Sequence, residues 1–262
     1  MINNENVDIF LYTHIPFTPI VKNKVYKILT CSDKKFDTQL LVLRDYTGDN
    51  ISDKNLMYNE YTGLYWLWKN YQLKDYVGLN HYRRIYNWTD NVPDIDQIFK
   101  THDIILNEPI VFSDIIKEEH NNYTWYGYWH NIEDFYLLED IINTYFSEYK
   151  DGFNKMKNAE YIYNSSMFIM RKNMFIEYCE FVFSVLGQFV KQRGFNTNND
   201  AIKWVEENKE KYIKPYLPYY NIKMQSRIIG YIAERVLNVF LMNGEDSLEK
   251  KAMKEKWSMV QI

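Results

Sequence analysis

Asn59-Glu60-Tyr61-Thr62-Gly63-Leu64-Tyr65-Trp66-Leu67-Trp68-Lys69-Asn70, followed closely by Asp75-Tyr76-Val77-Gly78-Leu79-Asn80-His81-Tyr82-Arg83-Arg84, holds two kinds of order side by side. In the first segment Tyr61, Leu64, Tyr65 and Trp68 recur at the spacing of one buried helical stripe, so a helix is expected from about Met57 to Tyr71. Asn59, Glu60, Thr62 and Lys69 fall largely outside that stripe. The second segment reads as a short apolar strand over 75–80 that stops in a burst of polar, cationic and aromatic groups. Such an ending suits an anionic ligand at a sheet edge, because guanidinium is a planar fork of donors matched to phosphate oxygens. The plainer alternative for Arg83 and Arg84 is a surface pair bridged to nearby acids.

Working outward, Val7–Thr13 is rich in β-branched and aromatic residues and predicts a buried strand. It ends at His14-Ile15-Pro16, where proline cannot extend a ladder. Residues 17–57 are polar, with turn signals at Thr47-Gly48-Asp49-Asn50. Further strands are expected at 103–106 and 161–170, and helices at 132–149, 173–192 and 224–242. Residues 193–222 read as irregular, and the last twenty residues as a charged, mobile tail. Strands alternating with helices imply an α/β fold, a mixed and mostly parallel sheet flanked by helices. The expected organisation is one domain over 1–242 and a tail over 243–262. Ligands of such sheets sit beyond the carboxyl ends of the strands, here Thr13-His14, Asn80 to Arg84 and Asn107-Glu108.

Composition narrows the functional classes. The 24 tyrosines suit half-wet, sugar-binding clefts, because each ring has an apolar body and a polar tip; AT-rich coding is the alternative cause. A net charge of −4 argues against a general nucleic-acid binder. Cys31 and Cys179 are far apart and show no metal-ligand spacing, which fits a reduced, cytoplasmic protein. Met1 to Asn6 lacks the features of a signal peptide. The apolar run 228–242 is interrupted by Glu234 and Arg235 and is shorter than the roughly 20 residues of a membrane span, so at most peripheral membrane contact is expected.

Several other groups could carry chemistry. Asp94-Ile95-Asp96 is a literal D-x-D, but N-capping accounts for it. The histidines show no two-His metal spacing, although Mg²⁺ can be held largely by substrate phosphates. In His130-Asn131-Ile132-Glu133-Asp134, acids at a helix start are explained by the dipole. The functional alternative makes Asp134 or Glu133 a general base beside His130. The aromatic tract Tyr123 to Trp129 is either an acceptor platform or a loop packed on the core. Asn164-Ser165-Ser166 interrupts an apolar strand, so these polar groups need partners, a ligand hydroxyl or the backbone. Arg227 and Glu234 share one face of the last helix, as an ion pair or as cleft residues; Arg235 reads as structural.

Five co-linear motifs resemble one family. The 59–70 segment is similar to "sELTalYWiWKN", and Val77 to Arg84 to "iGLcHYRR". His130 to Asp134 resembles "HhieDl", Met167 to Lys172 resembles "MFImkk", and Arg227 to Arg235 resembles "RvfGYlaERL". They belong to the bacterial glycosyltransferase family catalogued as domain of unknown function 4422, found in capsular and exopolysaccharide synthesis clusters.

The resemblance implies a GT-A type fold and transfer of a hexose such as galactose from a UDP-sugar to a glycan or lipid-linked acceptor. On that basis Thr13, His14, Tyr58, Glu60, Thr62, Asn80, His81 and Tyr82 are expected at the donor, with Arg83 and Arg84 on its diphosphate. Asp134 is the leading base, with His130 nearby, and Asp200 the second; Asp200 resembles an acid that follows the "NSG" strand of other GT-A enzymes. Trp129, Asn164, Ser165, Ser166, Arg227 and Glu234 are expected at the acceptor. Where many GT-A enzymes carry Asp-x-Asp, this chain reads Asn80-His81-Tyr82. Two options stay open, a Mn²⁺ or Mg²⁺ ion and metal-independent transfer. Rival readings are a non-catalytic carbohydrate-binding protein on a decayed transferase fold and a phosphosugar transferase.

Overall fold

The computed structural model describes residues 4–118 and 120–259. The first three residues of the N-terminal segment and the last three of the expected tail lie outside the described residues. β1 (Val7–Thr13), β2 (Tyr26–Thr30), β3 (Val42–Arg44) and β4 (Tyr76–His81) run parallel in the order β3-β2-β1-β4. β5 (Arg84–Tyr86) folds back antiparallel on the end of β4, pairing Arg84 with His81. β6 (Ile104–Asn107) follows, and β7 (Ile110–Val111) pairs with β8 (Tyr161–Ile162) in a separate ribbon. β9 (Phe168–Arg171) inserts antiparallel between β4 and β6. β10 (Ala252–Glu255) runs parallel to β6, and β11 (Trp257–Met259) pairs with β5, completing a nine-stranded sheet among the described residues. The result is the expected mixed, mostly parallel sheet flanked by helices.

Alternation along β1 decides which layer each residue joins. Phe10 and Tyr12 pack under helices 61–70, 132–145, 172–193 and 228–242. Val7, Ile9 and Leu11 face the opposite layer, with Ile85, Ile95 and Phe99. Helix 61–70 lies close on the sheet because residue 63 is glycine. A Cβ there would stand 2.4 Å from the Tyr12 ring.

Several expectations are revised. The helix expected over 57–71 is broken at Asn59, whose φ of 53° separates Asn55–Tyr58 from Tyr61–Asn70. Its buried face is turned from the expected stripe: Tyr61 and Leu64 are buried with Thr62, Trp66 and Leu67, whereas Tyr65 and Trp68 are only half-buried. The aromatic tract 123–129 is helical rather than a loop. Residues 198–207, inside the expected irregular tract, are a helix opened by a Thr197–Asp200 capping box. The strand expected over 161–170 is two strands, split by Ser165 and Ser166 at φ of 64° and 50°. The expected charged tail instead supplies β10 and β11; Lys254 and Glu255 mask β10 in sequence, because sheet edges tolerate charge. Asp94 does cap its helix, accepting from the Gln97 N–H at 3.1 Å.

Candidate functional site

A cleft of about 830 Å³ opens at the carboxyl ends of β1 and β4, a volume that suits a nucleotide-sized ligand. The β4–β5 hairpin supplies His81, Tyr82, Arg83 and Arg84, and the end of β1 supplies Tyr12 and His14. Parallel pairing of β1 with β4 sets these ends side by side. The remaining walls come from Asn55, Asn59 and Glu60, from Trp125, Trp129 and His130, from Asn164 and Ser165, and from Tyr220 to Arg235. β6 ends on the same edge, but Asn107 is buried and Glu108 bonds to Glu255, so that pair does not join the cleft.

Positive charge dominates one side. The His81 imidazole is pushed down to about 3 by burial and then by Arg84 and Arg83. Its Nδ1 accepts from the Arg83 N–H at 3.3 Å, consistent with a neutral ring. His14 is lowered by partial burial and by Arg227, Arg83 and Lys223. Burial also lowers the Arg84 guanidinium; Glu234 opposes that, and Arg83 adds to it. The Arg84 guanidinium lies 5.7 Å over the Trp257 ring, so β11 helps to fix it.

Two carboxylates face these cations. Glu60 caps the break at Asn59, whose side chain lies where a Cβ on Gly230 would stand, 2.1 Å from Nδ2. That close approach needs glycine and brings Glu60 against helix 228–242. Glu234 pairs with Arg235 at 3.3 Å and accepts from the Ser165 N–H at 3.0 Å. Glu60 accepts from Ser166 Oγ at 3.3 Å and has no ion pair within 4.0 Å among the described residues. Burial first, and then the charge of Glu234, push the Glu60 carboxyl up to about 7.

The far wall is aromatic. His130 stacks on Tyr231 with ring centroids 3.9 Å apart, and Trp129 lies 5.4 Å from Tyr220. The Gln225 amide donates to Trp129 O and Tyr212 O, so its Oε1 accepts from His130 Nδ1 at 3.0 Å. Burial, and then Arg235, lower this imidazole to about 3 although the Gln225 bond raises it, so the ring is neutral with its proton on Nδ1. Arg84 Nε, Trp129 Nε1, Asn164 Oδ1 and Arg235 Nε, all on cleft-lining residues, are buried polar atoms without a protein partner. Such atoms need water or a ligand, because leaving one unpaired costs about 1–3 kcal/mol.

Of the residues expected from sequence, His14, Glu60, His81, Tyr82, Arg83, Arg84, Trp129, His130, Asn164, Ser165, Arg227 and Glu234 line the cleft. Seven do not. Asp134 is buried in the first turn of helix 132–145, held by Arg193 at 2.7 Å and the Tyr212 hydroxyl at 2.7 Å. It does not line the cleft, so the structure does not bring the expected base to the other site residues. Asp200 is spent on capping, accepting from the Asn196 and Thr197 N–H groups. Thr13 closes a turn with Ile15, and Tyr58 is core. Thr62 is buried against Tyr12 and Asp45. Asn80 alternates onto the opposite layer from His81, with both amide atoms unpartnered. Ser166 is buried and touches the cleft only through Glu60.

Sequence reading missed Tyr12, Asn55, Tyr220, Lys223, Tyr231 and Arg235. Period-two alternation could have pointed Tyr12 toward the helix layer, but nothing local marks Tyr220 or Lys223.

The sequence leaves a bound metal open. Among the described residues no group of three or more His, Cys, Asp or Glu side chains could hold one. At the β4 end of the cleft stand a neutral His81 and the two arginines Arg83 and Arg84. Hard cations take oxygen ligands, and among the described residues the carboxylates that line this cleft are two, Glu60 and Glu234.

The geometry can be set beside known proteins. The structure resembles that of the WbbM bifunctional glycosyltransferase in its apo form, with a TM-score of 0.73 and 25% identity. The match covers 98% of this chain and 46% of WbbM, so the chain spans about half the length of that protein. No curated protein matches. Residues 8–207 match the family described as Domain of unknown function (DUF4422), with the Arg227 to Arg235 segment beyond the matched residues. With most of its length matched, the chain belongs to the DUF4422 family.

Proposed function

We propose that the protein is a glycosyltransferase that moves a hexose, such as galactose, from a UDP-sugar to a hydroxyl of a glycan or lipid-linked acceptor. One observation carries this reading: a cationic hairpin end faces a carboxylate poised near neutrality across a single cleft. The likeness to WbbM supports the same reaction class.

In this reading the donor diphosphate lies against Arg83, Arg84 and Arg227. Preorganised cations stabilise the charge that develops on a leaving diphosphate, and they need no reorganisation at the moment of reaction. The acceptor hydroxyl attacks the anomeric carbon, the bond from that carbon to the diphosphate oxygen breaks, and the hydroxyl proton passes to Glu60. Direct displacement of this kind inverts the anomeric centre. Glu60 suits the proton better than Glu234 does, because Arg235 already pairs with Glu234. A base near pH 7 combines ionisation with proton affinity. Trp129, Tyr220 and Tyr231 offer ring faces to the C–H surface of a sugar.

The test is a panel of nucleotide sugars screened by thermal shift and then by product analysis, with Mn²⁺ and with chelator. UDP and UDP-hexoses should raise the melting temperature, because ligand bound to the native state stabilises it by mass action. No UDP binding under either condition overturns the reading in favour of a non-catalytic carbohydrate binder. Transfer of a phosphosugar, not a sugar, would replace it with phosphosugar transfer.

A further inference from the structure

A second groove, of about 570 Å³, lies along residues 209–223. Ile213, Pro215, Leu217, Pro218 and Ile222 give it an apolar lining, and Lys209, Lys214 and Lys223 stand around it. These three lysines pair with no acid within 4.0 Å among the described residues, whereas the neighbouring Lys211 is bound to Glu133. Tyr219 is 87% exposed and Tyr216 is 55% exposed beside the groove. Two exposed rings beside an apolar groove form a contiguous patch, the kind of surface that marks an interaction site. Tyr220 and Lys223 line both this groove and the main cleft, so the two openings adjoin.

We propose that the 209–223 surface docks on an anionic phospholipid bilayer, bringing the cleft mouth to the membrane face. Charge complementarity favours that occupant. Lysines attract anionic headgroups, and amphipathic tyrosines settle at the headgroup level. Among the described residues no helix is long and apolar enough to cross a membrane, so the contact is one of surface adsorption. It would hold the enzyme against an acceptor carried on a lipid; that last link rests on the proposed transferase reading, but the docking itself does not.

The test is co-sedimentation of the whole chain with vesicles of phosphatidylcholine alone or mixed with phosphatidylglycerol, at low and high salt. Binding to the mixed vesicles is expected, with little to phosphatidylcholine and less at high salt. Lys209→Ala/Lys214→Ala should weaken binding by about thirtyfold, and Tyr219→Ser should separately weaken it. UDP titration of the same variants without vesicles should match wild type, because these side chains lie outside the cleft. Equal binding to both vesicle types, no binding by wild type, or undiminished binding by both variants overturns the proposal. A failure of UDP binding in wild type would count against the transferase reading and leave the vesicle result to stand by itself.

Discussion

Glu60 and Glu234 reach the cleft from different helices, yet consecutive residues of one turn hold them. Ser166 Oγ donates to Glu60 Oε1 at 3.3 Å, and the Ser165 N–H donates to Glu234 Oε1 at 3.0 Å. The left-handed backbone of both serines aims these two donors at the two acids. Tyr61 extends the link, with its hydroxyl 2.8 Å from Ser166 Oγ. Burial, and then the proximity of Glu234, raise the proton affinity of Glu60, and the Ser166 hydrogen bond restrains it.

Glu60→Gln should lower kcat by about 100-fold or more while UDP affinity persists, the usual range for loss of a general base. In wild type, the rate should rise with pH and level off above about 7, because the base works only when ionised. Stability depends on pH in the opposite sense. A carboxyl raised on folding favours the native state below its unfolded value, and that advantage is lost as pH rises through about 7. Glu60→Gln should therefore melt higher than wild type at pH 8. A pH–rate profile and melting curves at pH 5 and 8 check both, and unchanged kcat in the variant rejects Glu60 as base.

Ser166→Ala removes the bond that lowers the Glu60 carboxyl. The acid limb of the rate profile should shift to higher pH. The deficit at pH 7 should be several-fold and should shrink at pH 9. A uniform loss at every pH would mean that Ser166 acts only through packing with Tyr61.

Arg84→Ala should lower kcat by about 100-fold with folding intact, and weaken UDP binding most at low salt, where screening is least. Arg84→Lys should recover little, since a point charge cannot match the planar fork. If the arginines supply the positive charge, transfer should also survive a chelator. Activity assays with and without chelator, together with UDP calorimetry, decide this; an Arg84→Ala enzyme with normal kcat ends the diphosphate role.

Asp134→Asn tests stability and not catalysis. Burial pushes this carboxyl up to about 6 although Arg193 and Tyr212 pull it down. Removing one partner of a buried pair costs about 3–5 kcal/mol. A melting temperature several degrees lower is expected, with kcat per folded molecule near wild type. A selective collapse of kcat with unchanged melting would return Asp134 to the chemistry.

Ser165→Gly should raise stability by about 1 kcal/mol, because glycine adopts the left-handed backbone without the Cβ clash. The N–H to Glu234 is kept, so activity should hold. Ser165→Val should lose both stability and activity, as chemical denaturation and rate assays would register.

The sequence by itself determined the strands and helices with strong periodicity, β1, β4 and the long helices, and with them the α/β sheet. It also pointed to the His81-Tyr82-Arg83-Arg84 end as a candidate site, because a strand that stops in cations is a local signal, and those residues line the cleft. Tertiary structure alone decided which acids meet those cations. Asp134 and Glu60 look alike in sequence, each an acid at a helix start. Long-range packing gives Asp134 the Arg193 and Tyr212 partners, and turns Glu60 toward Glu234 through the break at Asn59. Charge pairing and burial depend on residues scores of positions away, and no local pattern records them. The same holds for β10 and β11, short segments that became strands only where β6 and β5 offered open edges.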